Sequence, residues 1–288
     1  VDQIHAHYAT HPALTAWIIS RLTDIPFSIT VHAHDIYVNR TMLLPKLKDA
    51  AFIRAISDFN KKFLIDLYGD WLADKIQVVH CGIHLDKYKP ADIKADGDFR
   101  IISVGSLQKY KGHTYLLRAC KILAEQGSPF QCKIVGGGKL RDSLGDLIQD
   151  LGISGQVGLM GPKTEDEVAE LLADAQCFVL PSVITREGKM EGIPVVLMEA
   201  LANKLPVVAS DISGIPELIV DGSTGSLVPQ KEPQALAEKI IWVSENQHEA
   251  SKMAELGYQK VKEDFNIEKV IVQLEELFIK VQKSKNGR

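Results

Sequence analysis

Glu191 and Glu199 are carboxylates eight residues apart in the run Glu-Gly-Ile-Pro-Val-Val-Leu-Met-Glu, which follows the apolar, strand-like Cys177–Leu180 and the turn Pro181-Ser182. Proline's fixed φ and missing N–H suit a first helical turn, so a helix is expected to begin near Ile193 or Pro194. Glu191 then stands at the helix mouth. At ~100° and ~1.5 Å per residue, Glu199 lies about 12 Å deeper and roughly 80° around the axis, so both can address one elongated ligand. The free first-turn N–H groups between them suit a phosphate. An anion at those amides, with a hydroxyl-accepting carboxylate on each side, describes a nucleoside diphosphate sugar. Taken singly, Glu191 also reads as a solvated carboxylate favoured by the helix dipole, and Glu199 as an ordinary helix-surface residue.

Three further segments could act on such a ligand. Lys111, in Lys-Tyr-Lys-Gly, follows a strand-like run ending at Val104-Gly105-Ser106 and could set a cation on a diphosphate as leaving-group charge develops; the plain alternative is an exposed loop lysine. Gly136-Gly137-Gly138 follows Lys133-Ile-Val135, where glycine backbone either approaches a ligand closely or makes a tight turn, and it lacks the Gly-Lys-Ser/Thr ending of a P-loop. His32 closes the strand-like Phe27–Val31, and strand ends are where α/β sites are built. Its His-x-His spacing to His34, with His5, His7 and His11 upstream, leaves structural and metal-binding readings open. His34 and Asp35 read as supporting or acceptor-side groups. Asp96-Gly97-Asp98 imitates a metal-holding Asp-x-Asp, yet it precedes a strand in a polar run and reads as a solvated turn. No metal is expected.

These residues need a scaffold of alternating elements. Apolar runs at Phe27–Val31, Ala51–Ile56 and Ile76–Val79 are followed by a polar, breaker-rich run between Tyr88 and Phe99, and a second series starts at Arg100. Strand-length runs alternating with amphipathic stretches imply parallel sheets with crossover helices. The expected fold is therefore α/β with two doubly wound, Rossmann-like domains. Their expected limits are 1–92 and 93–265, with a C-terminal helical segment over 266–288. The first holds about four strands and reads as incomplete, and the chain, opening Val-Asp-Gln-Ile-His without methionine, reads as a piece of a longer protein.

Glu-x7-Glu, the following Pro206-Val-Val-Ala209, Gly214-Ile-Pro-Glu217 and Asp221-Gly-Ser-Thr-Gly225 together resemble the C-terminal half of a retaining glycosyltransferase of family four (glycosyltransferase group 1). The resemblance extends to Val104–Gly112, Ile134–Gly138 and His32-Ala-His34-Asp35, and so over nearly the whole chain. The variant Glu-Gly-Ile-Pro is similar to enzymes of bacterial exopolysaccharide assembly, the colanic-acid group among them. The resemblance implies the GT-B fold, with two Rossmann-like domains facing a cleft, the N-terminal one incomplete here and the last helix crossing back to it. It implies a metal-independent hexosyltransferase with no cofactor, moving sugar with retention from a UDP- or GDP-sugar to a saccharide or lipid-linked acceptor, in exopolysaccharide or lipopolysaccharide synthesis. Glu191 and His32 would be its catalytic residues. Gly105, Ser106, Lys111, Gly136, Gly137, Gly192, Ile193, Pro194, Val195 and Glu199 would bind donor, with Glu199 on the ribose hydroxyls. Most of the family carries an arginine where this chain has Ser106; Lys109 could compensate. The implied location is cytoplasmic, with peripheral association at the inner membrane face through the absent N-terminal region.

Composition narrows the rivals. With 45% apolar and 24% charged residues over 288 positions, the chain can bury one large or two ordinary cores as a soluble globular protein. A net charge of -4 offers no bulk attraction for nucleic acid. Cys81, Cys120, Cys132 and Cys177 are scattered without Cys-x-x-Cys, which favours reduced thiols. Two other classes remain: a His-rich metal-dependent hydrolase, which leaves Glu-x7-Glu unexplained, and a nucleotide-sugar-binding protein without transfer, which would account for Ser106.

Overall fold

The computed structural model describes residues 1–88 and 97–286; Asp96 and the expected boundary at 92–93 lie outside them. In the first unit, β1 (Ile4–His7), α1 (His11–Thr23), β2 (Phe27–Val31), α2 (His34–Tyr37), α3 (Leu43–Asp49), β3 (Ile53–Ala55), α4 (Asp58–Tyr68) and β4 (Ile76–Val78) follow one another. The strands pair in parallel in that same order. Parallel strands are covered on both faces, so β2 is buried along its full length instead of alternating. Its polar residues are satisfied from β1: His5 Nδ1 lies 2.7 Å from Ser28 Oγ and Nε2 lies 2.8 Å from Thr30 Oγ1.

The second unit runs β5 (Phe99–Val104), α5 (His113–Glu125), β6 (Phe130–Val135), α6 (Arg141–Asp150), β7 (Val157–Gly161), α7 (Glu165–Asp174), β8 (Cys177–Leu180), α8 (Val195–Ala202), β9 (Val207–Ser210), α9 (Ile215–Leu218) and β10 (Ser226–Val228). Its sheet is parallel, in the order β10-β9-β8-β5-β6-β7. After β5 the chain builds outward through β6 and β7, then returns to lay β8 on the other side of β5. That reversal opens a crevice beyond the carboxyl ends of β5 and β8, where open α/β sheets take ligands.

Three helices complete the chain: α10 (Pro233–Glu245), α11 (Gln247–Asp264) and α12 (Ile267–Asn286). The two units are joined by packing as well as by the chain. Ile83 and Tyr88 already belong to the second unit's core, and Ile83 bridges to Asn266. Val270 and Leu277 of α12 return to the first unit, where they pack with Phe52 and Val79.

Glycine is required where loops meet. At Gly112, φ is +71° and an added Cβ would stand 1.8 Å from the Pro181 carbonyl oxygen. At Gly136, φ is +143° and a Cβ would stand 2.0 Å from that of Gly105. The loops after β5, β6 and β8 therefore touch backbone to backbone.

Candidate donor site

The loop after β5 supplies the cation. A short 3₁₀ turn over Lys109–Lys111 sends the Lys111 side chain back across Gly105, where a Cβ would meet its Cδ and Cε at 3.2 Å. Lys111 Nζ ends 2.6 Å from Glu191 Oε1, and the two side chains are 12% and 10% exposed. Ser182, just after β8, donates from Oγ to the same Oε1 at 3.3 Å. The two loops flanking the switch point thus meet in one nearly buried ion pair.

Helix α8 starts at Val195, with Pro194 as its N-cap at φ −67°. Glu191 to Pro194 is a turn, so the eight-residue helical geometry read from the sequence does not set the spacing of the carboxylates. They meet in another way: Glu191, Glu199, Lys111, Gly105, Pro194 and Val195 line one cavity of about 500 Å³. Its size suits a small-molecule site. The first amides of α8 open at its wall, where the helix dipole favours an anion. Tyr88 also lines it and donates its phenol to Glu199. Burial raises the Glu199 carboxyl above the usual range, and the bond from Tyr88 pulls it down in part.

Neither His32 nor Gly192 is among the residues lining this cavity; the first unit packs against the turn that follows Glu191. A Cβ on Gly192 would lie 3.1 Å from Ile56 Cδ1 and 3.9 Å from Ala33 Cβ, so the residue after Glu191 abuts the residue after His32. His32 donates its N–H to Asp35 Oδ1 at 3.0 Å, and its ring stacks on Tyr8 at 4.4 Å. Its Nε2 is buried without a hydrogen-bond partner. Burial, and then the charges of His7 and Arg54, push the imidazole down to about 4, so the ring is neutral at physiological pH. Asp35 is pinned by the Ala9 N–H at 2.7 Å and shapes the backbone around His32.

Other candidates fall elsewhere. Ile193 lines the cavity but belongs to the second unit's core. Ser106 is half-buried on the β5 loop, and its carbonyl accepts the Gln108 N–H. Gly136 and Gly137 are not among the lining residues. They support the β5 loop from behind, Gly137 accepting the Leu107 N–H at 2.9 Å. The four cysteines are free thiols. Sequence reasoning missed the roles of Tyr88 and of Glu217. Glu217 was visible only as part of Gly-Ile-Pro-Glu, yet its carboxylate accepts backbone N–H groups of Asp58 and Phe59 in the other unit. With Asp58 and His80 it forms a trio whose ligand atoms lie within 4.8 Å. Both Glu217 oxygens accept those N–H groups, and His80 Nε2 lies 3.0 Å from Oε2, so hydrogen bonds hold the trio together.

Residues 86–260 match the family described as glycosyl transferases group 1. The chain is 38% identical over 195 residues to a putative colanic acid biosynthesis glycosyltransferase, WcaL, of Escherichia coli, covering 67% of this chain and 48% of that protein. It is 39% identical over 196 residues to the amylovoran biosynthesis glycosyltransferase AmsK of Erwinia amylovora, with the same shares covered. The chain thus spans about half the length of these relatives. Among solved structures, sucrose-phosphate synthase from Thermosynechococcus elongatus superposes with a TM-score of 0.85 at 21% identity, over 98% of this chain and 74% of that one. The Anabaena protein HepE in complex with UDP superposes at 0.84 and 21% identity, over 97% and 79%. These likenesses show the GT-B arrangement of two parallel sheets. With the family match covering more than half of its residues, the chain belongs to the glycosyl transferases group 1.

Proposed function

We propose that this chain carries the donor site of a retaining, metal-independent hexosyltransferase that uses a UDP- or GDP-sugar. The acceptor would be a saccharide or lipid-linked saccharide, in exopolysaccharide or lipopolysaccharide synthesis. The observation that carries the reading is the convergence of Lys111, Glu191 and Glu199 on one cavity at the switch point. HepE was solved with UDP and with UDP-glucose, which favours a uridine donor, and the WcaL and AmsK names favour a polysaccharide product.

In this reading Glu199 accepts the ribose hydroxyls, and the α8 amides with Lys111 take the diphosphate. As the sugar–phosphate bond breaks, negative charge grows on the leaving oxygen, and a fixed ammonium and fixed amides stabilise it without reorganising. Glu191 accepts sugar hydroxyls and, with neutral His32, orients the oxocarbenium-like ring; both act by position. Gly105, Ile193 and Pro194 complete the donor wall, Ser106 and Gly192 adjoin it in sequence without lining the cavity, and Gly136 and Gly137 support it from behind. No helix among the described residues is long and apolar enough to cross a membrane.

The experiment is a calorimetric titration with UDP, GDP and their hexose conjugates in EDTA, alongside Glu199→Ala. Saturable binding of one nucleotide, lost in the variant, is the expected result. Failure of all of them to bind would sink the reading. Binding without transfer to any saccharide acceptor would select the second reading, a nucleotide-sugar-binding protein, which Ser106 in the usual arginine position favours.

A further inference from the structure

Glu217 lies on α9 of the second unit, yet its carboxylate serves the first. Oε2 accepts the N–H of Asp58 at 2.9 Å and Oε1 that of Phe59 at 2.8 Å, the first two residues of α4. His80 Nε2 lies 3.0 Å from Oε2. First-turn amides have no carbonyl one turn back, so a carboxylate there satisfies orphan donors and meets the positive end of the helix dipole. Ser57, the N-cap, takes another of them: its Oγ accepts the Asn60 N–H at 3.0 Å. One helix end is thus capped jointly by its own unit and by the other.

From α4 the contacts lead to His32. The side chain of Asn60, fully buried, donates from Nδ2 to the His32 carbonyl at 2.6 Å. Its Oδ1 accepts the Tyr37 hydroxyl, so Asn60 grips both ends of the segment His32–Tyr37. The segment leading into α9 holds the opposite wall. Ser213 Oγ donates to the Gly192 carbonyl at 3.2 Å, and a Cβ on Gly214 would strike Ile193 Cγ1 at 2.8 Å and Ser57 Cβ at 3.2 Å. Residues 213–217 therefore touch the Glu191–Gly192 turn at one end and cap α4 at the other.

The geometry points to Glu217 as a positioning residue: by capping α4 it sets, through Asn60, the His32–Tyr37 segment against the Glu191–Gly192 turn. The inference rests on the donor-site reading for the meaning of His32 and Glu191. Glu217 makes no contact with substrate in this role. It aligns the two walls of the cleft, so its loss is read as misplacement of the His32 wall with the donor cavity left intact.

The test is amide hydrogen exchange on the whole chain without nucleotide, paired with UDP titration. Glu217→Ala is expected to speed exchange at Asp58, at Phe59 and across residues 32–37 by about tenfold or more, a local loosening. Exchange in β5 and β6, and the dissociation constant for UDP, stay within about twofold, because the donor cavity is built by the second unit. Glu217→Gln keeps one acceptor oxygen and recovers part of the protection. Asn60→Ala loosens residues 32–37 while Asp58 remains protected. Unchanged exchange at 32–37 in Glu217→Ala overturns the proposal. Uniform acceleration through β2 and β3 also overturns it, since that would mark a general brace between the units. Failure of the unaltered chain to bind UDP counts against the donor-site reading alone, because the exchange arm is read without nucleotide.

Discussion

Lys111 Nζ and Glu191 Oε1 stand 2.6 Å apart at the wall of one cavity, so each charge is held by the other. On the proposed reading, a diphosphate entering at the α8 amides would give Lys111 a second anion, and Glu191 would turn its remaining lone pairs to sugar hydroxyls. Removing one partner leaves a nearly buried charge unpaired, which costs about 3–5 kcal/mol when the site is dry. Lys111→Met is therefore expected to lower stability by about 3 kcal/mol in denaturant titrations. Combined with Glu191→Gln it should lose less than the sum of the two single changes. UDP affinity of Lys111→Met should fall by roughly 10–100-fold, the worth of one charge-assisted bond. Additive losses in the double variant would show that the pair is not coupled.

Glu199 gives the site a pH dependence of definite sign. Burial raises its carboxyl, so it takes up a proton at a higher pH than an exposed glutamate does. A protonated carboxyl accepts hydroxyl hydrogen bonds poorly. Affinity for UDP-glucose, whose diphosphate is esterified at both ends and stays ionised throughout, should therefore begin to fall above the ordinary carboxylate range as a titration series descends from about pH 8 to about pH 5. Tyr88→Phe removes the bond that partly lowers the carboxyl, and so moves the fall to still higher pH. Glu199→Gln should bind weakly with a flat profile over that range. A wild-type profile equally flat would exclude Glu199 from the nucleotide contact.

The residues that sequence reasoning brought together share one property: they follow the strands that flank the switch point. Gly105 and Lys111 come after β5, Glu191 and Glu199 after β8, and buried parallel strands are legible as short apolar runs. The turn geometry was less legible. A proline at N1 and a proline at the N-cap look alike in a sequence, and that offset of one or two residues left Glu191 outside the helix. The triple glycine read equally as ligand loop or turn, and only the Gly105 carbonyl against Gly136 shows what the missing Cβ makes room for. Glu217 was hidden for a different reason. Its partner Asp58 lies 159 residues away, and no local periodicity encodes a pairing at that distance.

Two glycines separate crowding from backbone entropy. Gly112 leads from the Lys111 turn into α5 with φ at +71°, and the Pro181 carbonyl oxygen fills the place of its Cβ. Gly112→Ala must push the β5 and β8 loops apart, so a loss of thermal stability together with a loss of UDP binding is expected. Gly145, inside α6, has open space around its Cβ position and no positive φ. Gly145→Ala should stabilise the chain by about 0.5–1 kcal/mol with UDP binding unchanged. Equal effects of the two substitutions in thermal melts would refute the assignment.

Three histidines set the acid limit of the fold. His5, His32 and His113 are each pushed from 6.5 down to about 4, with burial as the first cause in every case. For His113 the neighbouring Lys111 charge adds to burial, and backbone groups of Gly105 and Ser106 pull the other way. The unfolded chain takes up these protons at a pH where the folded chain does not. Stability is therefore fully present above about pH 6.5 and declines as pH falls toward about 4, by up to about 1.4 kcal/mol per pH unit for each proton taken up only by the unfolded chain. His113 is the cleanest site for the measurement, because it is 2% exposed and lies beneath the Gly105 loop, outside the cavity. His113→Leu should make the decline of melting temperature with falling pH shallower by one proton, while the wild type and the variant converge in slope above about pH 7. Parallel profiles across the whole range would mean that His113 binds its proton equally well in the folded and unfolded chains.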